Sequence, residues 1–91
     1  MTQIEFTDKE KYIIAEFIFA NESGTLIKPE VIVLLPVLVE HGIINNITLW
    51  RKNVNNNIKG TVDTLVHLLY SKVDKEQLDS IMKEYFSGEL G

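Results

Sequence analysis

Hydrophobic and polar positions alternate along this chain with a helical period. Behind Thr7-Asp8-Lys9-Glu10, the residues Ile13, Ile14, Phe17 and Ile18 fall at i, i+1, i+4 and i+5, which is one face of a helix. Thr7 and Glu10 have capping-box spacing, in which hydroxyl and carboxylate each accept from the other residue's backbone N–H. Asp8 and Glu10 also put carboxylates at the positive end of the helix dipole. The pattern predicts a helix over 8–20, ended by the turn Asn21-Glu22-Ser23-Gly24. Gln3 to Phe6, ahead of it, reads as a short strand or an extended arm.

Nine consecutive residues, Val31 to Val39, then carry no polar side chain. An element apolar on every side must be surrounded, so this one belongs at the centre of a core or at a protein contact. Pro29 suits a first helical position, where its missing N–H would have had no intrahelical partner. His41-Gly42 supplies the matching stop. Pro36 lies inside the run, where it removes one hydrogen bond and clashes with the preceding turn, a cost of roughly 3 kcal/mol. A kinked helix is the expectation. Two short pieces, or a buried strand over Val31–Leu35 favoured by its β-branched residues, are the alternatives.

Ile47, Trp50, Val54 and Ile58 fall at i, i+3, i+7 and i+11 and predict a third helix with a narrow apolar stripe. Six of the thirteen residues from Asn45 to Asn57 are asparagine, which competes with the helix backbone for hydrogen bonds. The later half of that helix should therefore fray, and Gly60 should break it. Val62, Leu65, Val66, Leu69 and Val73 form the stripe of a fourth helix. Asp74, with Gln77 in the capping-box position, starts a fifth. Its apolar face is Leu78, Ile81, Met82, Tyr85 and Phe86, and Ser87-Gly88 ends it. The expectation is all-α: a compact bundle of about five short helices forming a single domain, 1–91.

Composition narrows the possible partners. A hydrophobic content of 45% argues against a disordered chain. There is no cysteine, hence no disulfide or thiolate chemistry, and a reducing, cytoplasmic setting is expected. The net charge of −4 opposes any general affinity for nucleic acid. Met1 to Glu5 lacks the basic and apolar regions of a secretory leader. The apolar run is about half the ~20 residues of a spanning helix, so no membrane partner is expected.

Chemistry-bearing residues are sparse. His41 and His67 lie on different predicted helices, and zinc needs three or four converging ligands. No catalytic, cofactor-binding or metal-binding residue is assigned, no cofactor is implied, and the chain is read as non-enzymatic. Leu65-Val66-His67-Leu68-Leu69 has the LxxLL form of groove-docking peptides, but leucines so spaced are what a core helix shows. Arg51, Lys52 and Lys59, with Trp50 and the asparagines, make the only basic, amide-rich stretch. They carry the alternative reading, a helix-based nucleic-acid-binding regulator using Asn45–Lys59.

Leu34-Leu35-Pro36-Val37-Leu38-Val39-Glu40-His41-Gly42-Ile43-Ile44, the polar helix with Trp50, and Thr64-Leu65-Val66-His67-Leu68-Leu69-Tyr70 follow one another in a recognisable order. This order resembles a death-fold domain of the caspase-recruitment type. There, a leucine-rich helix ends at a glycine followed by small aliphatics, a polar helix follows, and another leucine-rich helix comes next. The resemblance covers about half the chain. Pro36 and the short C-terminal part depart from the pattern, which puts the family's sixth helix in doubt. The resemblance implies homotypic assembly through charged helix faces, without catalysis.

The resulting expectation is a non-enzymatic protein–protein interaction module. It would serve as an adaptor, or as a small inhibitor or regulator of a larger protein, with a second copy of itself as one partner in a homo-oligomer. Tyr12, Phe19, Trp50, Arg51 and Lys52 are the candidate contact residues, because aromatic and arginine side chains in excess of the core are what interfaces use.

Overall fold

The computed structural model describes residues 3–90. Five helices follow in order: α1 (Asp8–Ser23), α2 (Lys28–Glu40), α3 (Ile47–Asn56), α4 (Ile58–Lys72) and α5 (Lys75–Ser87). Among the described residues there is no strand, so the all-α expectation is met.

The capping box of α1 forms as its spacing predicts. The Thr7 N–H donates to Glu10 Oε1 at 2.9 Å, and the Glu10 N–H donates to Thr7 Oγ1 at 3.1 Å. The helix continues to Ser23, past the expected end at Ala20. Its stop is Gly24, whose positive φ of 72° lets its N–H reach the carbonyls of Ala20 and Asn21. The turn residues Asn21 to Ser23 are therefore the last turn of the helix.

α2 runs helically through Pro36, which excludes the buried strand and the two-piece reading. Glu30 reaches back to accept the Ile27 N–H at 3.1 Å; the Ile27 side chain has no acceptor, so the other half of a capping box is missing. Pro36 is tolerated because it faces outward and displaces no core neighbour. Val31, Leu34, Leu35 and Leu38 are fully buried, and each such side chain contributes roughly 1.5–3 kcal/mol. The apolar run is nevertheless not enclosed on every side, since Val33 is 51% and Val39 36% exposed.

Asparagine shapes the next two helices as punctuation. Asn46 takes a left-handed conformation, φ 50°, and its side chain accepts from the Leu49 N–H at 3.2 Å, starting α3. α3 remains helical as far as Asn56, so the expected fraying of its later half is not seen. The break comes at Asn57, not at Gly60. Asn57 closes α3 and also caps α4, its Oδ1 accepting the Gly60 N–H at 3.1 Å. Ile58 consequently opens α4 and leaves the α3 stripe, which keeps Val54 buried and Ile47 and Trp50 partly buried.

The start of α5 also differs from expectation. Asp74 is the N-cap but its side chain makes no capping bond. Gln77 forms no capping box, because its amide is committed elsewhere: Oε1 accepts the Ile4 N–H at 3.1 Å and Nε2 donates to the Ile4 carbonyl. The pair mimics a strand pairing and fastens the N-terminal arm to α5, although the arm is not itself a strand. Of the predicted α5 face, Leu78 and Ile81 are buried, Met82 and Tyr85 half-buried, and Phe86 is exposed.

α1 packs on α2 and α5, α2 on α3, and α3 on α4. A single core joins them, with Ile14, Phe17, Leu34, Leu35, Leu38, Leu65, Leu69, Leu78 and Ile81 among its fully buried side chains. Leu65 and Leu69 of the LxxLL sequence are core, as their helical spacing indicates. No helix among the described residues is long and apolar enough to cross a membrane.

Candidate interaction surface

Tyr12, Glu16 and Phe19 fall at i, i+4 and i+7 on α1, on a face separate from the buried Ile14, Phe17 and Ile18. α5 packs beside that face and adds Tyr85 and Phe86 from its last turn. The four rings form a connected group. Centroids are 5.6 Å apart for Tyr12–Tyr85, 6.0 Å for Phe19–Tyr85, 5.5 Å for Phe19–Phe86 and 5.3 Å for Tyr85–Phe86. Three of these pairs are edge-to-face, the arrangement that aligns a positive ring edge with a negative ring face. Phe86 is 64% and Phe19 41% exposed.

Polar groups fix the cluster. Tyr85 Oη donates to Glu16 Oε2 at 3.0 Å. Burial, reinforced by the Glu16 charge, pushes the Tyr85 phenol upward, and a hydrogen bond to Glu16 does the same for Tyr12. Both phenols thus stay protonated at neutral pH, and the Tyr85 hydroxyl is the donor that holds the Glu16 carboxyl. Lys11 and Glu84, 3.4 Å apart, tie α1 to α5 a little further along.

Next to Tyr12, a cleft of about 170 Å³ opens between α1 and α2, lined by Tyr12, Ile13, Glu16, Glu30 and Val33. Glu16 and Glu30 are both partly buried there. Among the described residues the ion pairs are Lys11–Glu84, His41–Glu10 and Lys75–Asp79, and neither cleft carboxylate takes part in one.

The five candidate contact residues thus fall into two sets on different elements. Tyr12 and Phe19 join the α1–α5 cluster. Trp50, Arg51 and Lys52 are on α3, which packs on α2 and α4. Trp50 is half-buried and lines two depressions, one polar with Asn53, Asn57 and Thr61, the other apolar with Val39, Ile44 and Leu68. Arg51, Lys52 and Lys59 are solvent-exposed.

The histidines do not converge. His41 lies 3.0 Å from Glu10 and edge-on to Phe6, while His67 is exposed on α4. Among the described residues, no three His, Asp or Glu side chains are grouped as metal ligands.

Phe86, Tyr85 and the Glu16–Glu30 pair were not singled out by the sequence reading. Phe86 lies about 100° around the helix from Tyr85, at the margin of the face formed by Leu78, Ile81, Met82 and Tyr85; that was the available signal. Comparison with family models, with characterised proteins and with solved structures gives no match.

Proposed function

We propose that this chain is a non-enzymatic interaction module whose contact surface is the aromatic cluster of α1 and α5. The observation that carries this reading is the connected group Tyr12, Phe19, Tyr85 and Phe86, with Phe86 64% exposed beside a complete core. The ring surface that stays in water at this helix–helix seam adds nothing to the monomer beyond the ring–ring contacts. In interfaces, such rings are the anchors on which binding energy concentrates. Their positions are already held by packing and by the Tyr85–Glu16 bond, so little ordering cost attends binding. An adaptor, or a small regulator of a larger protein, works in this way. The resemblance to caspase-recruitment domains adds self-association as one form the contact takes.

Photo-crosslinking tests the proposal. A benzophenone side chain placed at the exposed Lys83, one turn from Phe86 on α5, and separately at Arg51, is irradiated in cells expressing the chain. The expected result is a discrete protein adduct from position 83, lost in the Phe19→Ala/Phe86→Ala variant while helical circular dichroism is unchanged. Adducts only from position 51, or adducts indifferent to Phe19 and Phe86, would move the surface to α3. Sedimentation equilibrium then shows whether the captured protein is a second copy, as homo-oligomer formation requires.

A further inference from the structure

The α1–α2 cleft has a chemistry of its own, and it adjoins the aromatic cluster through Tyr12. Ile13 and Val33 supply apolar walls, Tyr12 an aromatic one, and Glu16 and Glu30 supply two carboxylates with no cation paired to either among the described residues. Two partly buried carboxyl groups thus line one apolar slot. The fold accepts this arrangement, and it fixes both groups with neutral donors: the Tyr85 hydroxyl on Glu16 and the Ile27 N–H on Glu30. Neutral donors orient a carboxylate and leave its charge available.

We infer that this cleft receives an arginine side chain from a basic segment of a partner protein, while Phe19 and Phe86 take an apolar residue beside it. This rests on the interaction-module reading and names the chemistry of the partner. Charge complementarity selects the occupant. An arginine has a methylene stem for Ile13 and Val33, a planar face for Tyr12 and a fork of donors for carboxylates, a combination no neutral or acidic side chain offers. The volume of about 170 Å³ holds one long side chain and no larger group. A nucleic acid is opposed here by both carboxylates, and the chain's net charge of −4 favours a basic partner in general.

The test uses the full chain, isotope-labelled, with three capped tripeptides as probes: Leu-Arg-Leu, Leu-Gln-Leu and Leu-Glu-Leu. Amide shifts are followed by NMR to about 10 mM peptide, a range suited to contacts this small. The expected result is that Leu-Arg-Leu moves the amides of Tyr12, Glu16, Glu30 and Val33, and that Leu-Gln-Leu binds about tenfold more weakly. Glu16→Gln/Glu30→Gln keeps an acceptor for Tyr85 and for the Ile27 N–H, so the fold is retained. It should lower arginine-peptide affinity about tenfold and remove its salt dependence. Glu40→Gln removes one charge ten residues, about 15 Å, further along α2 and should change nothing. Equal binding of the Arg and Gln peptides, no localised shift at the highest concentration, or shifts confined to α3 would each overturn the inference. Should a crosslinked partner depend on Phe86 yet ignore Glu16→Gln/Glu30→Gln, the interaction surface stands and the arginine slot falls.

Discussion

His41 Nε2, at the end of α2, lies 3.0 Å from Oε1 of Glu10 in the first turn of α1. The same oxygen accepts the Thr7 N–H, so one carboxylate closes the capping box and joins two helices. Phe6 seals the contact edge-on, 4.6 Å from the imidazole. A local helix-start signal thus has a long-range partner.

This junction predicts an acid-sensitive contribution to stability. Burial acts to raise the Glu10 carboxyl, but the Thr7 backbone N–H and the His41 ring outweigh it and hold the group below its ordinary value of 4.5. A carboxyl depressed in the folded state stabilises fully above its unfolded value, and that contribution disappears as pH falls through the folded one. In urea melts from about pH 7 to about pH 3, Glu10→Gln should lose less stability on acidification than the parent chain. Parallel acid limbs for the two proteins would show that the carboxylate is not coupled to folding.

Gln77 fastens the N-terminal arm by two hydrogen bonds to the Ile4 backbone. Gln77→Ala should cost about 1–3 kcal/mol, the sum of two ordinary hydrogen bonds. The Ile4 amide should lose hydrogen-exchange protection while those of α2 and α4 keep theirs. Unchanged protection at Ile4 would mean that the arm is held by Phe6 alone.

Asn57 and Gly60 form a unit. A Cβ on Gly60 would meet Asn57 Nδ2 at 2.6 Å, so alanine there must push the capping amide aside. In the parent chain, the helix-propensity gain of Gly60→Ala, about 1 kcal/mol, should be cancelled by a lost cap of similar size. In an Asn57→Ala background the cap is already gone, and the same change should stabilise by about 1 kcal/mol. Simple additivity in the double-mutant cycle would show that the cap survives alanine.

Arg51, Lys52 and Lys59 are exposed, and their simultaneous replacement by alanine should leave the thermal transition within a degree or two, as surface changes do. The parent chain should show no duplex binding in gel shifts at ~150 mM salt, where screening extends over roughly 8 Å. Submicromolar binding that weakens with salt, with a log–log slope reduced by about 3 in the triple variant, would restore the nucleic-acid reading of Asn45–Lys59.

Signals confined to one turn of chain were legible. Thr7 with Glu10, Pro29, Asp74 and Gly88 marked helix ends that the structure places within a residue or two. The α4 stripe was equally clear, because Leu65 and Leu69 sit at core spacing. Misreadings arose where two local signals competed. Asn57 and Gly60 are both punctuation residues three positions apart; glycine looked like the break, although its bare N–H is what the asparagine needs. Gln77 had the right position for a capping box, and a backbone 73 residues away claimed its amide instead. The same distance in sequence hid the cluster. Tyr12 and Phe19 stood out on α1, but nothing local says that α5 delivers Tyr85 and Phe86 beside them.

Pro36 bears on the chain before it folds. Without it, Val31 to Val39 would be nine uncharged, β-branched and aliphatic residues in a row, the composition of a segment that self-associates into stacked strands. Proline cannot donate to such a ladder, and here it divides the run into halves shorter than the usual six-residue zipper. Its outward position in α2 keeps the native core out of the exchange. Pro36→Ala should therefore raise equilibrium stability by up to about 3 kcal/mol and yet lower the yield of soluble protein on refolding from urea. Improvement in both, measured by melts and by light scattering, would leave the proline without this protective role. On this view, a residue that weakens the finished helix guards the newly made chain.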